Sequence, residues 1–395
     1  MIIRKTTAEE RQQVSEIFAI AFEMPMGDDS VGPDRSDVCR WGAFCDDDRE
    51  MMSSLTVTDF QIRFDGHVCK MGGIGGVGTL PQYRRQGGIR GCFQAALPDM
   101  YDRGYDFSYL YPFSTNYYRK FGYESCVQKL QTTVHLGLLN PPAAEGDFRL
   151  VRAGSTMADA IRSIDAQWER DFNMMVVHDP DHYEWVGKAD PARKQEFTYV
   201  CFGRDGAPKA YTTFRKENQP DGRNLICSRF CFADREGFTG LMQVFKSLSA
   251  DHMYAKFSMP AMPAMQYILP EWSLGAVQWA VQPAGMVRVV NVESVLRKAR
   301  YLGSGAVKLK ILDPQIAGNN CTFEVVFCEG SAVSVTRTED AADAVLTIPT
   351  FSALIAGVCD FSDARNWFDG FEIQKENTHF GQVFYRKNMM IADYF

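Results

Sequence analysis

Residues 70–90, KMGGIGGVGTLPQYRRQGGIR, constrain the chain more than any other stretch. Residues 71–80 are small and apolar, the composition of a buried strand, and Pro81 ends it because proline has no N–H for a sheet ladder. Beyond Gly87 and Gly88, apolar residues return at helical spacing as Ile89, Phe93, Ala96 and Leu97. A strand, a glycine-containing turn and a helix N-terminus form an anion grip. Free backbone N–H groups converge there, the helix dipole favours negative charge, and glycine lets the main chain come close. A plain tight connection would use the same glycines, so a second feature is needed to assign the turn. Two nucleotide loops are excluded by spacing. There is no GxxxxGK[ST], and no GxGxxG opens a helix with an acid about 20 residues further on.

Length and charge narrow the setting. At 395 residues the chain exceeds one ordinary core, so two or three domains are expected. No run approaches the roughly 18 apolar residues of a membrane-spanning helix. The opening MIIRKTTAEERQQ turns charged too early for a secretory signal, and a cytoplasmic location is expected. A net charge of −7 with dispersed basic residues points away from nucleic acid and suits a cationic small-molecule acceptor. Eleven cysteines without a CxxC pair read as reduced, mostly buried thiols. No metal is expected: His178 and His182 flank Pro180 without the Glu of HExxH. Cys227 and Cys231 are expected to alternate onto one buried strand face.

Along residues 1–136, a strand at 1–5 leads to a helix capped by Thr6 or Thr7, with Glu9 and Glu10 in its first turn. Val14, Ile17, Phe18 and Phe22 share one face of it. Residues 25–50 read as a loop with a helical piece around 38–44. Asp28, Asp29 and Asp34, with Trp41 and Phe44, are candidates to line a polycation site, and a solvated loop is the alternative. Strands at 53–64 and 67–80 are joined by Asp65-Gly66, a strong hairpin signal. A buried strand at 106–113 precedes a short helix begun by Ser114 and closed by Phe121-Gly122-Tyr123, with Gly122 in the C′ place.

This order, with Arg84-x-x-Gly87 after a strand holding Val77 and Thr79 and with Tyr118-x-x-Phe121-Gly122-Tyr123 behind it, resembles the GNAT acetyltransferases. Their acyl-CoA pyrophosphate loop reads [QR]-x-x-G-x-[GA], and Ile89 departs from it where a small residue normally falls. The resemblance implies acetyl-CoA as acyl donor. It also implies Tyr118 as the general acid that protonates the departing thiolate, a task suited to a phenol within hydrogen-bond reach. Packing beneath the phosphate loop is the alternative role for Tyr118. Tyr117 and Tyr123 read as structural.

After a linker at 140–146 the pattern repeats: strand 148–151, helix 155–172, strand 197–202, a turn at Asp205-Gly206, and strands 209–215 and 225–232. ADREGF at 233–238 then enters a helix at 239–249. This has the shape of a second phosphate loop, with Arg235 and Gly237 as remnants. Asp234 and Glu236 put carboxylates where pyrophosphate would sit, and like charges oppose it. A degenerate repeat that binds no acyl-CoA is expected. From 286 onward come a strand at 286–292, a helix at 293–301, strands at 306–312, 322–327 and 332–337, and helices near Ala341-Ala342 and at 350–358. The runs MVRVVNVESVLRKARY and ADAVLTIPTFSALIAG resemble the sterol carrier protein-like domain. The apolar end, Tyr394-Phe395, is expected to dock, in its own domain or another.

In length and order the whole chain resembles the Eis (enhanced intracellular survival) acetyltransferases. That implies an α/β (α+β) fold of two GNAT-like domains in tandem, 1–136 and 137–285, followed by a sterol carrier protein-like domain at 286–395. It further implies that the terminal carboxylate of Phe395 is the general base. Val77 and Thr79 would offer backbone to pantetheine, and Arg84, Arg85, Gly87, Gly88 and Arg90 would surround the pyrophosphate or ribose phosphate. Gly88 stands where relatives often carry an apolar residue. The implied acceptors are amines of aminoglycosides or polyamines, or lysine side chains, and the implied assembly is a hexamer. The expected chemistry is direct transfer in a ternary complex. A covalent route through Cys92 or Cys126 lacks a histidine partner. A lipid or sterol binder with a vestigial GNAT part is the non-enzymatic alternative.

Overall fold

The computed structural model describes residues 1–26, 35–126, 128–143, 146–260 and 275–393. The first part of the chain supplies strands Ile2–Lys5 (β1), Val38–Phe44 (β2), Met51–Phe64 (β3), His67–Thr79 (β4), Phe107–Leu110 (β5) and Glu124–Ser125 (β6). Its helices are Arg11–Phe22 (α1), Gly88–Asp102 (α2) and Thr115–Arg119 (α3). The β3–β4 hairpin turns at Asp65-Gly66 as expected, with both residues at positive φ. The apolar stripe of α2 (Ile89, Phe93, Ala96, Leu97) packs with Leu55, Val57 and Ile74 of the sheet. Phe93 also stacks on Phe121 at 4.2 Å, so Phe93→Ala would cost about 3–5 kcal/mol.

Two local expectations are corrected here. Helix α1 starts only at Arg11, and residues 8–10 form a turn in front of it, with the Glu10 carboxylate accepting from Thr7 N–H at 2.8 Å and from Arg4 at 2.6 Å. Residues 38–44 are a strand, not a helical piece: they pair antiparallel with β1 on one side and β3 on the other, burying Ala43 and Phe44. Two neighbouring ladders outweigh a weak helical pattern. Asp28, Asp29 and Asp34 lie outside the described residues.

Strands Gln128–His135 (β7), Asp147–Leu150 (β8), Glu196–Phe202 (β9), Pro208–Gln219 (β10), Gly222–Phe232 (β11), Tyr254–Pro260 (β12) and Val277–Pro283 (β13) form a second sheet, in the order β13-β7-β12-β11-β10-β9-β8. Its helices are Ala158–Asp171 (α4), the short Glu184–Gly187 (α5) and Pro191–Lys194 (α6), and Arg235–Ser247 (α7). A register shift in the β10–β11 ladder gives β11 one extra residue at Ser228. The expected alternation of Cys227 and Cys231 onto one face is therefore broken. Cys227 packs with Phe214 and Phe230, whereas Cys231 packs with Val200 and Tyr211 in a separate cluster.

The last third contributes Met286–Val289 (β14), helix Val292–Lys298 (α8), strands Gly305–Leu312 (β15), Thr322–Cys328 (β16), Ser331–Thr338 (β17) and Ala344–Thr347 (β18), helices Ile348–Ala356 (α9) and Phe361–Trp367 (α10), strand Phe371–Ile373 (β19) and helix Phe380–Val383 (α11). The five strands from β15 onward make a third sheet, β17-β16-β15-β18-β19. No helix forms near Ala341-Ala342: Asp343, with its carboxylate accepting from Lys308 N–H at 2.8 Å, leads straight into β18.

The division of the chain differs from boundaries at 136 and 285. Contacts split it into one unit of Met1–Cys126, Ala284–Lys387 and Asp393–Phe395, and another of Val127–Pro283 and Asn388–Ala392. Residues 128–135 belong to the second sheet, and β14 completes the first sheet, β1-β2-β3-β4-β5-β14-β6. Arg288 of β14 is fully buried there. It donates to Phe121 O at 2.8 Å and to the Asp313 carboxylate at 2.7 Å, so the chain's last third braces the segment that carries Tyr118. Among the described residues, no helix is long and apolar enough to cross a membrane.

Candidate active site

The site begins with a fault in β4. Ser54 pairs with Gly78 and Thr56 with Gly75, so Gly76 and Val77 together oppose the single residue Leu55. Gly76 takes φ +58°, a conformation glycine adopts without a Cβ penalty. Parallel pairing of β4 with β5 runs from Met71–Phe107 to Ile74–Leu110 and stops just before this bulge. Past it, residues 75–79 leave β5 and carry backbone polar groups free of that ladder. A carbonyl placed in the opening would meet N–H groups of the kind that stabilise an oxyanion.

The strand leads through the turn Pro81–Tyr83 to the start of α2. Gly87 is the N-cap at φ +89°, and no side chain among the described residues caps the helix. Gly88 has a separate reason: a Cβ there would lie 2.4 Å from Ser53 Oγ, so the helix start can rest on β3 only with glycine. Thr79, Arg85, Gly87, Gly88 and Arg90 all line one groove of about 320 Å³. Arg85 and Arg90 make no ion pair among the described residues, so the groove presents uncommitted positive charge at an uncapped helix N-terminus. Arg84 does not line it, and Val77 packs against the core instead.

Sequence reasoning missed the opposite wall, which Tyr117 and Lys120 supply from α3 and its end. Tyr117 read as structural. Its spacing of three from Lys120 is the signal that puts both on one helical face. Tyr118 lies behind that wall, buried, with its ring edge-on to Phe93 at 6.0 Å and Phe113 at 5.4 Å. Its hydroxyl donates to no described residue. Burial raises its pKa well above the ordinary phenol value, which keeps the proton in place at neutral pH. Arg119, paired with Glu124 at 2.7 Å, and Gly122 at φ +87° hold the short helix.

The far end of the chain reaches the same unit. Tyr111 OH, just beyond β5, donates to Asp393 O at 2.5 Å. Phe395 itself lies outside the described residues. Cys92 and Cys126 are buried, and desolvation pushes the first up to about 12 and the second well above its ordinary value. Neither supplies a thiolate near neutral pH.

In the second unit the corresponding helix start is occupied by its own side chains. Asp234 caps α7, accepting from Gly237 N–H at 2.9 Å, and Glu236 accepts from Arg204 N–H at 3.0 Å. Lys209 Nζ lies 3.2 Å from Asp234 and 3.8 Å from both Asp205 and Glu236.

Comparison with known proteins agrees with this geometry. Residues 2–126 match the acetyltransferase (GNAT) domain family, and residues 292–367 match the sterol carrier protein domain family. No curated protein matches the chain by sequence. The fold is that of a conserved protein of unknown function from Enterococcus faecalis (TM-score 0.85, 20% identity, 100% of this chain and 99% of that one). It is equally that of a GCN5-related N-acetyltransferase from Anabaena variabilis (TM-score 0.85, 18% identity, 100% of both chains). Eis1 from Mycobacterium abscessus shares it as well, at a TM-score of 0.79 and 17% identity over 100% of both chains.

Proposed function

We propose that this chain, whose residues 2–126 match the acetyltransferase (GNAT) domain family, moves the acetyl group of acetyl-CoA to an amine of a polycationic acceptor, an aminoglycoside or polyamine. The observation that carries this reading is the positively charged groove at the uncapped start of α2, which the last residue of the bulged strand β4, Thr79, enters from one side. Arg85, Arg90 and the N–H groups after Gly87 take the pyrophosphate, with Arg84 at the groove's edge. The backbone from Val77 to Thr79 directs pantetheine and steadies the oxyanion as the amine attacks the thioester in a ternary complex. The Phe395 carboxylate accepts the ammonium proton, and Tyr118 gives its proton to the departing thiolate. The groove wall places Tyr117 in front of Tyr118, so a small movement of α3 accompanies donor binding in this reading. The resemblance behind it carries a hexamer in the cytoplasm.

Thiol release from acetyl-CoA, measured with aminoglycosides, simple polyamines and lysine peptides in turn, tests the assignment. Turnover with the first two supports it. Turnover with lysine peptides alone makes the protein a lysine acetyltransferase. Lipid binding without acetyl-CoA binding transfers the main function to the sterol carrier protein domain.

A further inference from the structure

The point where the chain's end is fastened coincides with the point where the first sheet opens. Parallel pairing of β4 with β5 ends at Ile74–Leu110, and the next residue is Tyr111. Its hydroxyl donates to Asp393 O at 2.5 Å, and both residues belong to the first unit although 282 positions separate them. The Tyr111 ring is itself held. It lies edge-on to Tyr109 at 5.4 Å, and Tyr109 is fully buried and donates its own hydroxyl to Ala284 O. Upstream, Lys387 is fixed in the same unit. Its N–H donates to Gly357 O at 2.9 Å, and its ammonium lies 2.5 Å from the Asp65 carboxylate with both side chains almost fully buried. Two residues of chain span at most about 7 Å, so the terminal carboxylate lies within about 10 Å of the Asp393 carbonyl. Phe113, just past Tyr111, packs on Tyr118 at a ring distance of 5.4 Å. One short segment after β5 thus carries both the tether of the chain's end and a neighbour of the proposed acid.

We propose that Tyr111 is a positioning residue for acetyl transfer: its hydroxyl, bonded to the Asp393 carbonyl, keeps the Phe395 carboxylate at the opening between β4 and β5, a role that rests on the reading of that carboxylate as the general base. A chain end without the tether samples many conformers and presents its carboxylate only part of the time. Misplacement of a reacting group by about 1 Å costs up to about 100-fold in rate. The tether is a hydrogen bond between neutral groups, so it aims the carboxylate without altering its basicity.

Tyr111→Phe keeps the ring and its contact with Tyr109 and removes only the tether. In the thiol-release assay, with an acceptor that turns over, kcat should fall about threefold or more, as loss of one hydrogen bond permits. The KM for acetyl-CoA and the position of the pH profile should not move. The same substitution in a chain lacking Phe395 should have no further effect, since the carboxylate it aims is gone. Carboxypeptidase A should release Phe395 faster from Tyr111→Phe than from the parent. An unchanged kcat in Tyr111→Phe, where deletion of Phe395 does lower it, overturns the role of Tyr111 and leaves the general base in place. Equal trimming of the two chains overturns it as well, as does an equal fall in kcat in the full and truncated chains. Deletion of Phe395 without effect on kcat removes the base itself, and the role of Tyr111 with it.

Discussion

At the start of α2, Gly87 contributes no side chain, and no side chain among the described residues caps the first turn. At the start of α7, Asp234 accepts from Gly237 N–H, Glu236 is engaged by Arg204 N–H, and Lys209 lies 3.2 Å from Asp234. Both helices follow a bulged strand, both sheets splay beyond it, and both turns carry arginine and glycine. The difference lies in who satisfies the helix N-terminus. A turn that caps itself gains about 1 kcal/mol of stability and loses its appetite for an anion. A turn that does not remains ready for phosphate, provided nearby charge is positive. One architecture thus yields an open, positively charged groove in the first unit and a self-capped, stabilising corner in the second.

The comparison breaks most visibly if chemistry does not reside in the first unit. Tyr118→Phe should lower kcat about 100-fold or more with little change in the KM for acetyl-CoA, as loss of a general acid does. Deleting Phe395 should cost a similar factor, read in the same thiol-release assay. Because the active form of Tyr118 is protonated and its pKa is raised, an alkaline fall in kcat should begin only above the ordinary phenol value near 10. A fall centred below pH 9 would remove Tyr118 from the role. Next in size is Gly87→Asp, which writes the second unit's solution into the first. It strains a residue at φ +89° and brings a carboxylate to the groove. The KM for acetyl-CoA should rise at least tenfold, since one charge-assisted hydrogen bond is worth about 1.5–3 kcal/mol. Arg85→Gln and Arg90→Gln should each raise it about tenfold or less, the effect shrinking as salt increases.

Much of this was legible in residues 70–90 and 114–123, because the signals there are local. A glycine-rich strand, a proline stop, two glycines before an apolar helix and Phe-Gly-Tyr after a short one each state their geometry within a few residues. Asp234 and Glu236 were equally readable as carboxylates in the wrong place for phosphate. What sequence did not carry is what depends on distant partners. Residues 38–44 became a strand because β1 and β3 flank them, and no pattern inside VCRWGAF declares that. Residues 286–289 joined the first sheet because Arg288 finds Asp313 and the Phe121 carbonyl there, a fact of tertiary contact. The faces of Cys227 and Cys231 turned on one extra residue at Ser228, and bulges leave almost no mark in composition. Tyr117 and Tyr118 exchange exposure for the same reason: adjacent tyrosines on a five-residue helix are told apart only by what packs behind them.

The smallest effect sharpens the comparison from the other side. Asp234→Ala removes the cap of α7 and leaves Gly237 N–H to solvent, at a cost of about 1 kcal/mol, within a range of about 0.5–2. Thermal unfolding should register a fall of a few degrees or less. The KM for acetyl-CoA should not move, because Asp234 belongs to the second unit and the proposed donor groove to the first. Removing Glu236 as well leaves Lys209 facing Asp205, and the double variant Asp234→Ala, Glu236→Ala should lose further stability as the Glu236 bond to Arg204 N–H goes. A second CoA equivalent bound by the double variant, and absent from the parent, would show that these carboxylates alone keep the donor out. No second equivalent, with the stability loss in place, would show that self-capping came with a loop too tight for pyrophosphate.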